Sequence, residues 1–229
     1  LTEGYACVRI GIDGPLILSV KEGIQMMGRL KAVGMALAFA FVSGMAFGAN
    51  PPKIGDPMPE IVLLDVNYDG HCLKCESKEK KAVVVIFIAT RCPVSNAYNS
   101  RMVRIAKEYS GKGIAFYGIN SNETEPVDEV AKHAKENGFP FVVLKDYRSK
   151  VADKLDAQAT PEAYVFAPEK GKMVLVYHGR IDDSQDESKV KSQDLRDALE
   201  AVLKGKRPER PETRAFGCSI KRPPKGELK

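Results

Sequence analysis

No internal repeat runs through the 229 residues, which excludes solenoid and propeller architectures and leaves one core with appendages. Charge of one sign is scarce: 35 Lys and Arg stand against 30 Asp and Glu, and the excess of +5 is spread along the chain. Basic residues thicken only near the end, as in Lys204-Gly205-Lys206-Arg207, with no aromatics interleaved. Without stacking groups that tail reads as a solvated end, and no nucleic-acid partner is expected. The Cys72-to-Cys75 pair is followed by Glu76 and not by histidine, which excludes covalent haem attachment. No cofactor is required by any of these patterns.

What is present centres on Cys92-Pro93-Val94-Ser95, behind the apolar run Val83-Val84-Val85-Ile86-Phe87-Ile88. A short β-branched run reads as a buried strand. Beyond it Met102, Val103, Ile105 and Ala106 recur at helical spacing between basic residues. Cys92 therefore sits where a strand hands over to a helix, and unpaired backbone N–H groups there favour thiolate over thiol. Pro93 suits the first turn, where its missing N–H costs nothing. The plain alternative is a buried cysteine acting as a small hydrophobe. Further strands are expected at 61–66, 83–89, 113–120 and 141–144, with a hairpin of 162–167 and 173–177. Helices are expected at 92–109, 126–137, 149–155 and 188–203. This alternation predicts an α/β domain, a central mixed sheet flanked by helices.

About seventy residues after Cys92, Thr160-Pro161 leads into the apolar run Ala163-Tyr164-Val165-Phe166. A junctional cysteine followed by such a Thr-Pro resembles the thioredoxin-like superfamily. Tyr177-His178-Gly179-Arg180-Ile181-Asp182-Asp183 and Gly217-Cys218-Ser219-Ile220-Lys221 narrow the resemblance to its secreted, peroxiredoxin-like branch, the alkyl hydroperoxide reductase/thiol-specific antioxidant group, over residues 52–224. The resemblance implies a thioredoxin-like fold, with Pro161 cis and packed beside Cys92. It also implies a difference. The peroxidatic cysteine of peroxiredoxins matches the position held here by Ser95; Cys92 stands at the threonine position and Ile88 where a proline is expected. The peroxide-activating motif is absent, and thiol–disulfide exchange is the safer expectation.

Upstream, Arg29 and Lys31 precede an apolar stretch that ends in the small residues around Ala46-Phe47-Gly48. That is the layout of a secretory signal, so 26–48 is read as a signal peptide and 1–25 as an over-extended start. An uncleaved N-terminal anchor is the alternative; no other membrane association is expected. The redoxin domain is assigned to 52–204 and an extended tail carrying Cys218 to 205–229. Export to the periplasm or cell envelope removes Cys7 and leaves Cys72, Cys75, Cys92 and Cys218, which can pair in three ways in an oxidising compartment. Asp69-Gly70 signals a turn, placing Cys72 and Cys75 on or near a hairpin loop and away from a helix start. They read as a local disulfide, as a second redox pair, or with His71 as half a metal site.

In a dithiol motif the residue three positions after the nucleophile is the second cysteine; here it is Ser95. Resolution must come from Cys218, from Cys72 or Cys75, or from an external thiol. Cys218 lies on a late, flexible segment able to reach back, or in a structural disulfide. Ser95 can donate to the thiolate, and Arg91 adds positive charge unless solvated. His178 reads as a ligand, a base or a half-exposed strand end, His133 as surface, and Asp182 and Asp183 as turn caps or a proton relay. Three functions remain open. One is an exported thiol–disulfide oxidoreductase or thiol-dependent antioxidant with Cys92, Ser95, Thr160 and Pro161 at its site. It would act on a disulfide-bearing protein or a small thiol or peroxide substrate and draw on an external thiol reductant. The second is a copper- or zinc-binding envelope protein using His71, Cys72, Cys75 or His178. The third is a redox-inert binding module on the same fold.

Overall fold

The structure is a computed structural model and describes residues 50–224. The expected signal segment, the over-extended start and Cys7 lie outside the described residues. Among the described residues no helix is long and apolar enough to cross a membrane.

The fully buried run predicted from its β-branched residues forms β3 (Ala82–Phe87), which alternates between two apolar clusters. Ala82, Val84 and Ile86 enter one; Val83, Val85 and Phe87 enter the other. A strand buried on both faces belongs in the middle of a covered sheet. Around it lie β1 (Val62–Asp65), β2 (Gly70–Cys72), β4 (Ile114–Asn120), β5 (Val142–Lys145), β7 (Glu162–Glu169) and β8 (Lys172–Gly179). The seven-stranded order is β2-β1-β5-β4-β3-β7-β8, with β3, β4 and β5 parallel and the other pairs antiparallel. A separate two-stranded piece pairs β6 (Ala159–Thr160) with β9 (Cys218–Ser219).

One sheet face is covered by α3 (Asn99–Ser110), α4 (Val127–Glu136) and α6 (Asp194–Leu203). The other receives α1 (Leu73–Glu76) and α5 (Lys150–Leu155), through Leu73, Val151, Ala152 and Leu155. The mixed α/β architecture predicted from the alternation is present.

Three local expectations need correction. The helix expected at 92–109 is two helices, α2 (Pro93–Ala97) and α3, divided at Tyr98, where the N–H bonds back three residues to Ser95. Tyr98 is drawn into the core, its hydroxyl donating to Asp182 at 2.9 Å beneath the Arg101 guanidinium. The helix expected from 188 is a 3-10 turn at Glu187–Lys189 followed by a break, and α6 begins only at Asp194, because the Asp183 carboxylate takes the N–H groups of Lys191 and Ser192 and holds those two residues non-helical. Cys72 and Cys75 lie next to the hairpin loop as expected, but at a helix start and not away from one. Cys72 ends β2 and caps the single turn α1, its Sγ accepting the Cys75 N–H at 3.2 Å. The Asp65 carboxylate closes the loop earlier, on the N–H groups of Asn67 and Asp69.

Candidate active site

Cys92 follows β3 by a four-residue loop, Ile88 to Arg91, and is 4 % exposed. As the N-cap of α2 its Sγ accepts the backbone N–H of Ser95 at 3.2 Å. Pro93 occupies the first turn, as its fixed φ suits. The contribution of Ser95 is its backbone and not the expected hydroxyl: Ser95 Oγ is buried and accepts the Ala89 N–H at 3.2 Å, tying the loop to the helix. The positive charge expected from Arg91 is likewise committed. Its guanidinium pairs with Glu129, and that bond, with one from Thr90 Oγ1, holds the Glu129 carboxyl down at about 2.

The loop rests on a group that sequence reasoning missed. Glu125 is 2 % exposed and accepts the N–H groups of Thr90 at 2.9 Å and Arg91 at 3.0 Å, and the Asn120 amide at 2.5 Å. Burial alone would lift its carboxyl; the Thr90 N–H, the Asn120 amide and the Arg91 N–H together hold it below the ordinary 4.5. Lys145, 3 % exposed, closes the network, its Nζ donating to Asn120 Oδ1, Asn122 O and Glu125 O at 2.7–2.8 Å. Burial pushes the Lys145 ammonium down.

Opposite Cys92 stands the Thr160–Pro161 loop, whose peptide bond is cis. Cys92 Sγ lies 3.5 Å from the Thr160 carbonyl oxygen. Glu162, 3 % exposed, fixes this loop from behind by accepting the N–H groups of Gln158 at 2.7 Å and Ala159 at 2.9 Å. His178 reaches the same carboxylate at 2.5 Å and stacks on Tyr164 at 4.3 Å, so its place is structural support behind the loop. Burial would raise the Glu162 carboxyl, but His178 and the two N–H groups keep it below its usual value.

Cys92 is disulfide-bonded to Cys218, with Cα atoms 5.9 Å apart. Thr160 is the register partner of Cys218, so cysteine, proline loop and tail meet at one point. The tail is not free, contrary to the expected flexible segment. Ile220 is buried, its N–H donating to Gln158 O, and Lys221 bonds with Asn122 and Glu123. Gly217 explains part of the string around Cys218: at φ +154° it lies so close to Thr160 that a Cβ would sit 2.0 Å from the carbonyl oxygen. Gly179 plays the same part earlier, where a Cβ would meet the Thr213 backbone at 2.3 Å. The His178 backbone bonds to Pro211 and Thr213 there.

The other candidates do not join this cluster. Cys72 and Cys75 are bonded to each other, and β1, β5 and β4 lie between their strand and β3, so neither stands by Cys92 as a resolving thiol. Nor does the expected metal set assemble. His71 faces Asp65 and Glu76, and His178 lies in β8 at the opposite sheet edge from β2. Among the described residues no group of three His, Cys, Asp or Glu is placed to hold a metal. His133 is not a surface residue: it is half-buried, its Nε2 2.8 Å from Asn96 Oδ1 and its ring edge-on to Phe139. Asp182 caps a turn as expected, its Oδ1 accepting the Ser184 N–H at 3.3 Å, and it is 5 % exposed with both carboxylate oxygens on Nη1 of buried Arg101; Asp183 instead ties its loop to the Lys191 and Ser192 N–H groups.

Cys92 thus stands at a helix start, faces a cis-proline loop and is bonded to Cys218. The family model AhpC/TSA matches residues 54–177. The chain belongs to the AhpC/TSA family. Within the solved structures, a hypothetical protein from Sinorhizobium meliloti is 33 % identical, covering 76 % of this chain and 97 % of its own, at a TM-score of 0.69. An uncharacterized conserved protein from Geobacillus kaustophilus is also 33 % identical, covering 76 % and 95 %, at 0.67. The peroxidoxin BcpB from Mycobacterium tuberculosis is 21 % identical, covers 67 % and 97 %, and shares the fold at 0.51. No curated protein matches the chain. The AhpC/TSA assignment makes the chain a thioredoxin-like redoxin.

Proposed function

We propose that this AhpC/TSA member is an exported thiol–disulfide oxidoreductase in which Cys92 is the nucleophile and Cys218 its resolving partner. The observation that carries the reading is the meeting of Cys92, the Ser95 N–H, the cis Thr160–Pro161 loop and Cys218 at one point. In the dithiol form the Cys92 thiolate attacks one sulfur of a substrate disulfide, forming a mixed disulfide and expelling the other substrate sulfur as a thiolate, which takes up a proton. Cys218, deprotonated, attacks Cys92 Sγ, closes the Cys92–Cys218 disulfide and releases the second substrate thiol. Two electrons pass from the protein to the substrate, and an external thiol reductant restores the dithiol. Between turnovers the Ser95 N–H stabilises the Cys92 thiolate. A small peroxide is a weaker candidate substrate, since Ser95 holds the family's peroxidatic position.

The two disulfides among the described residues support an oxidising compartment. The apolar stretch before residue 49 supports export by a cleaved signal. A redox-inert reading draws on the firm docking of residues 216–222, and trapping separates the two. With a disulfide-bearing peptide, reduced Cys218→Ser protein accumulates a mixed disulfide through Cys92, whereas Cys92→Ser accumulates none. Failure of Cys218→Ser to trap any substrate makes the pair a structural cross-link.

A further inference from the structure

Outside this site the protein carries a second pair of sulfurs in a different setting. Cys72 and Cys75 are disulfide-bonded at the end of β2, the outermost strand of the sheet, so the outer edge of β2 faces no other strand among the described residues. Cys75 is exposed and Cys72 half-buried. In the antiparallel register Cys72 lies opposite Val62 and Gly70 opposite Leu64, and residues directly opposite share a face. That face is open: Val62 is 58 % exposed and Leu64 44 %. A strip of exposed apolar side chains is thus in register with an accessible disulfide. Large exposed apolar groups gathered in one place mark an interaction surface.

We propose that Cys72–Cys75 is a second thiol–disulfide exchange site, whose substrate is an extended polypeptide segment carrying two thiols among apolar side chains. The disulfide selects for a thiol, the open edge of β2 for extended backbone, and Val62 and Leu64, across from Cys72 and Gly70, for apolar neighbours. A substrate thiolate attacks exposed Cys75 Sγ; the Cys72–Cys75 bond breaks and Cys72 leaves as a thiolate, its Sγ already accepting the Cys75 N–H at 3.2 Å. The second substrate thiolate then attacks the substrate sulfur of the mixed disulfide and releases Cys75. The substrate loses two electrons and becomes a disulfide. Cys72 and Cys75 gain them and take up the two protons that the substrate thiols gave up. This site is independent of the Cys92 chemistry and stands whether or not that reading holds.

The test mixes the oxidised full chain, one turnover, with a reduced nine-residue peptide bearing two cysteines among Val and Leu. A matched peptide with Ser in place of Val and Leu runs in parallel. Differential alkylation and peptide mapping then show which protein disulfide opened, in the wild type and in Cys92→Ser/Cys218→Ser. The proposal expects one peptide disulfide per chain with new thiols at Cys72 and Cys75, and the apolar peptide reacting about ten-fold faster, as burial of one to two apolar side chains implies. Val62→Ser is expected to shrink the ratio of peptide rate to dithiothreitol rate by several-fold. New thiols only at Cys92 and Cys218, or equal rates for the two peptides, overturn it.

Discussion

Replacing Glu125 by Ala tests the argument that a buried carboxylate, and not the surrounding loop sequence, holds the Cys92 loop in place. The substitution removes the acceptor for Thr90 N–H, Arg91 N–H and the Asn120 amide, and it strips Lys145 of its nearest negative charge at 3 % exposure. A buried donor left without its acceptor costs about 1–3 kcal/mol, so losing the acceptor for these three donors amounts to roughly 3–5 kcal/mol. For a domain of this size 1 kcal/mol shifts the melting temperature by about 2–4 °C, so a fall of roughly 10 °C is expected. Urea unfolding followed by circular dichroism measures the loss in free energy, and a thermal scan the fall in melting temperature. Thr124→Ala, at the exposed position next to it, is the control and should stay within about 0.5 kcal/mol of wild type. A Glu125→Ala protein equally close to wild type would refute the reasoning, since the network would then carry no net stability.

Other consequences follow from the same geometry. Gly217→Ala should destabilise the fold by about 1–3 kcal/mol through backbone strain and push β9 off Thr160, so that Cys92 and Cys218 reoxidise more slowly after reduction; unchanged reoxidation would contradict this. Asp182→Ala should cost about 3–5 kcal/mol in urea unfolding, because Arg101 is left buried with only the Ser184 and Gln185 carbonyls as acceptors. Stability should fall in two stages on acidification. His133 is pushed by burial below its ordinary 6.5, so the unfolded chain takes up its proton first and stability declines as the pH drops below about 6.5; His133→Gln should remove that stage. Glu125 and Glu162 are held below 4.5, so their stabilisation is present above 4.5 and is lost as the pH falls through their lower folded values.

The parts legible in the sequence are those that local pattern dictates. The β-branched run 83–88 reads as a buried strand, and Cys92-Pro93 behind it could be placed at a helix start because proline is tolerated there. The α2–α3 break was not legible, because its cause is a contact between Tyr98 and Asp182, eighty-four residues apart. Nor was Glu125: Ser121-Asn122-Glu123-Thr124-Glu125 reads as a solvated loop, and only the fold brings Lys145 and the Thr90–Arg91 backbone onto one of its two glutamates. The available signal was Lys145 closing an apolar strand, a basic residue where burial demands an acidic partner. The docking of the tail left a trace in Gly179 and Gly217, whose need for close backbone approach becomes visible only once Thr160 and Thr213 are in place.

The central claim, that Cys92 is an activated nucleophile partnered by Cys218, is tested most directly by the pH dependence of Cys92 alkylation after mild reduction, read by mass spectrometry. The account predicts a midpoint well below the free-cysteine value of about 8.5, because the Ser95 N–H stabilises the thiolate. A midpoint at or above that value, or a Cys92 that resists alkylation throughout, would contradict it and leave Cys92–Cys218 as a structural cross-link.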